Sequence, residues 1–374
     1  MTTPAVLHII SGLGIGGAES SLVRIAVALK ARGLTQHVVC VSSLDDFSDE
    51  LQSHGVDVIV LGMNAAVGFP RGVIRTAQVI RRFNPSVVQG WMYHGNILAA
   101  LAHRLAGGSR RRQLYWNLRA SNMDDARYGR AVRLGRMLSG WPDLIVSNSQ
   151  AGARFHIDQG FRPRALAVIS NGIDTQKFQP NKEARAALRA ELGIPVDSVV
   201  AIHAARVDPM KDHATLLAAM AKVPQVRGLL VGAGTERLHV PENVCALGLR
   251  RDLVRIYATA DIVVSSSAFG EGFSNAVAEG MSVGLIPVAT DVGDAREIIG
   301  DTGELVVPND ADALASALAA AASGTPKELL ARGMRARVRV VQRFPLGAAI
   351  EAYARLYDPE NAAASQNTLA FSAQ

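Results

Sequence analysis

Two successive series of short β-branched runs, separated by longer amphipathic stretches rich in Ala and Leu, set the limits on this fold. In the first series, residues 6–10, 38–41 and 86–89 read as strands, and 19–31 and 74–83 read as helices. The rhythm restarts with strands at 199–204, 228–231, 262–265 and 286–289, and helices at 211–222, 253–258 and 274–281. Strand and helix in alternation give parallel sheets with helices on both faces, so the expected class is α/β, with two doubly wound Rossmann-like domains. No fixed-period repeat accompanies the duplication.

A chain of 374 residues suits two domains, and 49% hydrophobic against 19% charged residues excludes global disorder. With only Cys40 and Cys245, neither a disulfide framework nor a cysteine-based zinc site can be built. The first residues carry no charged leader and no run of about 18 apolar residues occurs, so the expectation is a cytoplasmic protein, peripheral to a membrane at most. The Asn171-Gly172 turn after a strand-like run at 167–169 marks a boundary. The expected divisions are 1–172, 173–343, a terminal helix over 344–358, and a frayed polar tail from 359.

Charge is unevenly spread. Residues 1–174 hold 19 Lys and Arg against 11 Asp and Glu, a balance of +8, whereas the remainder is at −2. Arginines gather at Arg104, Arg110, Arg111, Arg112, Arg119, Arg127, Arg130, Arg133 and Arg136. Such a patch attracts anionic lipid or simply forms a solvated helix face. Few aromatics interleave it and no nucleic-acid module is present, so nucleic acid is not an expected partner.

Four segments carry chemistry. Gly12–Glu19 places glycines between a strand and a helix, where backbone amides can approach an anion. Gly12, Gly14 and Gly17 also satisfy the dinucleotide pattern, but strand 2 ends in Val41-Ser42-Ser43 without the ribose-binding acid; a purely structural turn is the other reading. His94 follows a buried strand, where an imidazole can orient or deprotonate a hydroxyl, or serve only as a polar loop residue or helix cap. Arg206 and Lys211, five residues apart beyond a strand end, suit a diphosphate, though solvated cations are common at such places.

The fourth segment, Phe269–Met281, is the most informative. Gly272 frees the backbone, Ser274 can cap a helix, and the amides that follow can receive an anion. Glu271 and Glu279 flank that pocket. A phosphate repels carboxylates, so their partners are sugar or ribose hydroxyls, and phosphate with polyol means a sugar nucleotide.

At these residues the chain resembles the family 4 retaining glycosyltransferases, over residues 6 to about 357. The most specific element is the glutamate, seven residues, glutamate spacing of Glu271 and Glu279; Gly16-Gly17-Ala18-Glu19, Ser170–Asp174, Val231–Gly234, Leu247–Asp252 and Pro287–Thr290 support it. The resemblance implies the GT-B fold of two facing domains, with a terminal helix crossing back to the first. It assigns Arg206 and Lys211 to the donor diphosphate, Glu279 to the nucleotide ribose and Glu271 to the transferred sugar. Phe273, Ser274 and Asn275 contribute backbone contacts, Gly16 and Gly17 approach the diphosphate, and Gly248 to Arg250 meet the base. His94 lies near sugar and acceptor hydroxyl. Departures are Ser265-Ser266-Ser267 where Pro-Ser is frequent, Gly280 after the second glutamate, and Asp294.

The expected activity is therefore transfer of a sugar, with retention, from a nucleoside diphosphate (UDP first, GDP next) to a hydroxyl of a glycan or lipid-linked acceptor in cell-envelope polysaccharide synthesis. No cofactor is expected, and metal is dispensable because two cations stand in for it. A sugar-nucleotide 2-epimerase, a non-catalytic sugar-nucleotide-binding protein and a nicotinamide enzyme are the alternatives.

Overall fold

The computed structural model describes residues 5–43, 45–63, 68–108, 112–120 and 125–358, except the side chains of 125–127. The tail from Pro359, Arg110 and Arg111, and the Arg127 side chain lie outside the described residues. Two compact units are present: Met1–Ser170 with Gly347–Gln374, and Asn171–Leu346.

The first unit is built on a seven-stranded parallel sheet. Its strands are β1 Ala5–Ile10, β2 Thr35–Cys40, β3 Asp57–Val60, β4 Val87–Trp91, β5 Gln113–Leu118, β6 Leu144–Ser147 and β7 Leu166–Val168, in the order β3-β2-β1-β4-β5-β6-β7. β1 and β2 are buried at nearly every position, as strands covered on both faces require. Leu7, Ile9, Val88, Ile97 and Trp116 belong to the core on one side. The helix expected over 74–83 begins earlier, at Phe69, because Pro70 fits a first turn in which its missing N–H is not needed.

On the sheet lies the helix Leu346–Tyr357, which starts two residues later than expected. The delay has a cause: Phe344 still closes the preceding helix, Pro326–Arg343, and Ile173 N donates to its carbonyl at 2.9 Å. Tyr353 and Tyr357 of the terminal helix are each 1% exposed. Asn117 Nδ2 donates to Tyr353 Oη at 2.8 Å, Tyr357 Oη donates to Gln89 Oε1, and Tyr115 Oη donates to the Leu356 carbonyl at 3.2 Å.

The second unit carries a six-stranded parallel sheet: β8 Val199–Ala204, β9 Val226–Val231, β10 Val244–Ala246, β11 Ile262–Ser265, β12 Ile286–Thr290 and β13 Glu304–Val306. The order is β10-β9-β8-β11-β12-β13. Ile202, Leu229, Val263, Tyr257 and Met281 fill one side of this sheet, and Leu216, Leu230, Val288 and Leu318 the other. Asp261, just before β11, ties the helix Lys182–Glu191 to the sheet. Its two carboxylate oxygens accept from Arg185 Nη2 at 2.5 Å and Arg189 Nη2 at 2.8 Å, and the second also from Val200 N at 2.9 Å.

In each unit the strand order reverses direction at one place, between β1 and β4 and between β8 and β11. Chains leaving the carboxyl ends of such a strand pair diverge to opposite sides and leave a crevice where ligands bind. The segments singled out above follow β1, β4, β8 and β11. No helix among the described residues is long and apolar enough to cross a membrane.

Candidate functional site

In the second unit, β8 delivers Arg206 and Lys211, and β11 delivers Glu271. Asp208 shapes the first loop: its carboxylate accepts from Met210 N at 3.0 Å and pairs with Arg206 at 3.0 Å. Asp212, with φ +44°, turns the chain into the helix His213–Ala221 and caps it by accepting from Thr215 N at 3.1 Å. Lys211 thereby lies where its ammonium pairs with the Glu271 carboxylate, both side chains largely buried, while Arg206 stays 55% exposed. The structure therefore brings together a cation and an acid assigned to neighbouring parts of one ligand.

Beneath this loop, His203 of β8 and His213 stand edge to face at 4.9 Å. His203 Nδ1 donates to the Val264 carbonyl at 3.0 Å, and burial lowers its pKa to about 3. Both imidazoles are thus neutral neighbours of Lys211, whose charge also disfavours their protonation.

The Gly270–Asn275 turn is braced by the loop after β12. Asp294 N donates to the Gly272 carbonyl at 2.9 Å, and Gly293, with φ +64°, lies so near that an added Cβ would sit 2.4 Å from the Glu271 carbonyl oxygen. Ser274 occupies the N-cap of the helix Asn275–Val283, but its hydroxyl makes no capping hydrogen bond, contrary to the expectation. The Ser274 hydroxyl therefore does not cover the N-terminal amides of this helix. Phe273 is a core residue, edge to face with Phe344 at 5.2 Å, so only its backbone can serve a ligand. Asn275 Oδ1 accepts from Asn171 Nδ2 at 2.8 Å. Glu279, one face along the same helix, is half-buried near Tyr257, whose phenol is pushed well up by burial and then by this carboxylate.

On the far side of β8, Gly232 N donates to the Gly248 carbonyl at 2.8 Å and Gly248 N to Thr235 Oγ1 at 3.1 Å, fixing the backbone at Gly248. Arg250 is held in a two-pronged pair with Asp252, at 2.9 and 2.8 Å; that hydrogen bonding raises the guanidinium pKa and lowers the carboxyl pKa.

In the first unit, Gly16 is the extended N-cap of the helix Gly17–Ala31, and the Glu19 carboxylate folds back on it, so near that an added Cβ at Gly16 would sit 2.3 Å from Glu19 Oε2. His94 is not on a loop: the helix Met92–Leu105 begins directly at the end of β4. Gly95 allows this close entry, since a Cβ there would meet the Ile9 carbonyl oxygen at 2.6 Å. His94 is exposed at the sheet's carboxyl edge, 6.4 Å from the Tyr128 ring, and desolvation by its surroundings lowers its pKa. Tyr93 beside it is buried and donates to His156 Nε2 at 2.7 Å; His156 Nδ1 in turn donates to the Gly152 carbonyl at 2.6 Å.

The arginine cluster divides. Arg104, Arg130, Arg133 and Arg136 are exposed. Arg112 is half-buried and donates to Asn84 Oδ1 at 2.8 Å, and Arg119 lies 4.7 Å over the Trp91 ring. The helix Phe69–Phe83 adds exposed Arg71, Arg75, Arg81 and Arg82, which a reading of the cluster alone passes over.

Sequence reasoning also missed Asp208, Gly293 and the partners of Ser266 and Ser267. An acid before Pro209 is a recognisable turn signal. The rest depend on contacts between distant segments.

Two Rossmann-like parallel sheets, each with its polar loops at the switch point, define the GT-B class. Residues 15–177 match the model of Glycosyltransferase Family 4 and residues 198–323 that of Glycosyl transferases group 1, and the chain belongs to this family. A D-inositol 3-phosphate glycosyltransferase of Mycobacterium sp. (strain KMS) is 32% identical over 187 residues, 45% of this chain. The match spans less than half, 42%, of that relative's own length. Anabaena Alr3699/HepE in complex with UDP-glucose superposes with a TM-score of 0.79 at 25% identity, covering 94% of this chain and 98% of that one. Sucrose-phosphate synthase from Thermosynechococcus elongatus shares the fold, with a TM-score of 0.83 at 21% identity over 97% of this chain and 100% of its own.

Proposed function

We propose that the protein is a retaining glycosyltransferase that moves a sugar from a nucleoside diphosphate, UDP foremost, to a hydroxyl of a glycan or lipid-linked acceptor of the cell envelope. The observation that carries this reading is the meeting of Lys211 and Glu271 at the switch point, next to the start of a helix whose N-cap hydroxyl, Ser274, does not cap it. Arg206 and Lys211 take the diphosphate charge that grows as the glycosidic bond breaks, which is where fixed cations lower a barrier. Glu271 accepts from sugar hydroxyls and Glu279 from the ribose. Gly248 and Arg250 face the base, and the glycine turn at Gly16 and Gly17 serves the diphosphate. His94 orients the acceptor. Similarity to a protein seen with UDP-glucose supports UDP as the carrier.

The reaction proceeds by attack on the face the phosphate leaves, with the departing phosphate oxygen taking the acceptor's proton. No cofactor is used, and turnover survives chelation of divalent metal. A screen of UDP, GDP and ADP with their glucose conjugates by thermal shift, followed by product analysis with lipid extracts as acceptors, tests the reading. A ligand that binds only the folded state raises apparent stability. No shift with any of them at saturating concentration overturns it, and an inverted anomeric centre in the product overturns retention.

The exposed arginines of the helices Phe69–Phe83 and Asp125–Leu138, interspersed with exposed Ile74 and Met137, suit an anionic bilayer carrying the acceptor. Each surface cation contributes about 1 kcal/mol there. Sedimentation with phosphatidylglycerol vesicles that salt does not reverse, or no sedimentation at low salt, removes this part alone.

A further inference from the structure

The end of β11 holds three consecutive serines, and two of their hydroxyls reach the two charged residues of the site. Ser266 Oγ donates to the Lys211 carbonyl at 2.8 Å, and Ser267 Oγ donates to Glu271 Oε1 at 3.2 Å. Ser266 is fully buried and Ser267 1% exposed. A buried hydroxyl costs free energy unless it is hydrogen-bonded, so the value of these two lies in their partners. The arrangement is built up in layers. Thr290 Oγ1, at the end of β12, donates to the Ser267 carbonyl at 2.7 Å, Ser265 and Ser267 hydroxyls meet at 3.4 Å, and Ala268 N donates to the Met210 carbonyl at 2.9 Å.

Lys and Glu side chains lose much rotamer freedom when fixed. A site that must present both in one geometry gains from fixing them before the ligand comes. The Ser266 and Ser267 hydroxyls are engaged by the Lys211 carbonyl and the Glu271 carboxylate, so each acts through the residue it holds.

We propose that Ser266 and Ser267 are positioning residues with separate clients: Ser266 holds the Lys211 backbone for the diphosphate, and Ser267 holds the Glu271 carboxylate for the transferred sugar. The inference rests on the donor-site reading above and adds residues to it. Its distinctive consequence is a split between ligands. Ser266→Ala weakens binding of UDP and of UDP-glucose alike, by about tenfold, the equivalent of one hydrogen bond to a strongly polar group. Ser267→Ala leaves UDP within about twofold and weakens UDP-glucose by about tenfold.

Calorimetric titration of the full chain and both variants with UDP and with UDP-glucose reads this directly, with circular dichroism to establish that each variant is folded. A general loss of packing would weaken both ligands equally in both variants, and that result overturns the assignment, as does an unaltered affinity for UDP-glucose in Ser267→Ala. Crystal structures of the ligand-free variants supply a readout that needs no nucleotide. In Ser267→Ala the Glu271 carboxylate is expected to change rotamer while staying paired with Lys211, and in Ser266→Ala the 206–211 loop to shift; unchanged positions in both overturn the proposal. If the unaltered protein binds neither nucleotide while these shifts occur, the donor-site reading fails and the assignment to diphosphate and sugar fails with it, leaving only the hold of the two serines on Lys211 and Glu271.

Discussion

The ammonium of Lys211 is paired with the carboxylate of Glu271, across 60 residues of sequence. The cation we propose for a leaving group and the acid we propose for a sugar thus offset one another's charge. A donor with both a diphosphate and a sugar can engage each partner, whereas a bare anion must compete with Glu271 for Lys211.

Replacing Lys211 by Ala is expected to lower kcat/KM about 10²–10³-fold, the scale of losing one fixed charge-stabilising group, with the protein still folded but its melting temperature lowered, because the largely buried Glu271 carboxylate loses its cation. Glu279→Ala is expected to cut transfer comparably by raising donor KM. Steady-state kinetics with donor varied at fixed acceptor separates the two. Near-normal turnover in folded Lys211→Ala would refute the diphosphate assignment.

His94 sets an acid limb. Desolvation lowers its pKa, so the neutral imidazole persists below pH 6.5 before it takes up a proton. If His94 must be neutral to orient the acceptor, activity holds from neutral pH to below 6.5 and then declines. His94→Gln should lower kcat and remove this limb from the pH profile; an unaltered profile would show that another group sets it.

Acid should also destabilise the fold. His8, His156 and His203 are buried, with pKa values lowered to about 4, 4 and 3 by desolvation, against 6.5 in an unfolded chain. Above pH 6.5 neither state binds these protons and stability is complete. As pH falls from 6.5 towards 4, the unfolded chain takes them up and the folded one cannot, so stability declines. Denaturant midpoints at pH 7.5 and 5 should differ in this direction, and equal midpoints would contradict the burial of these rings.

Asp261→Ala leaves the Arg189 guanidinium, 5% exposed, without its carboxylate. Stranding one member of a buried pair costs about 3–5 kcal/mol. Urea denaturation should show the second unit melting first in this variant. Asp261→Asn, which can still accept hydrogen bonds, should cost less.

Gly293→Ala forces a Cβ against the Glu271 and Gly272 carbonyls at a positive φ. The expected result is a modest loss of stability, on the order of 1–3 kcal/mol, with a larger loss of donor affinity, because the displaced backbone carries Glu271. Calorimetry and thermal melts on one preparation report both.

Much of this organisation was legible. β1, β2, β8 and β11 announce themselves as apolar runs, and the residues at their carboxyl ends stood out because glycines, cations and paired acids cluster there. β5 was harder to see: Gln113, Tyr115, Trp116 and Asn117 replace the usual β-branched residues, since Asn117 and Tyr115 face the terminal helix as hydrogen-bonding partners. The helix Pro326–Arg343 has a local signal in Thr325 and Glu328, which form a capping box, but its arginines obscure the apolar face. The roles of Ser266 and Ser267 were not legible, because a serine's partner is chosen by the fold and lies 55 residues away for one and four for the other.

Tyr353 and Tyr357 cover Gln89, Asn117 and Trp91 in the unit to which the beginning of the chain belongs. A ribosome delivers that sheet before the intervening unit and its cover after it. Nascent chains must therefore carry an uncovered polar and aromatic face through the whole synthesis of the intervening unit, and the first of these two units is completed only after the second has been made.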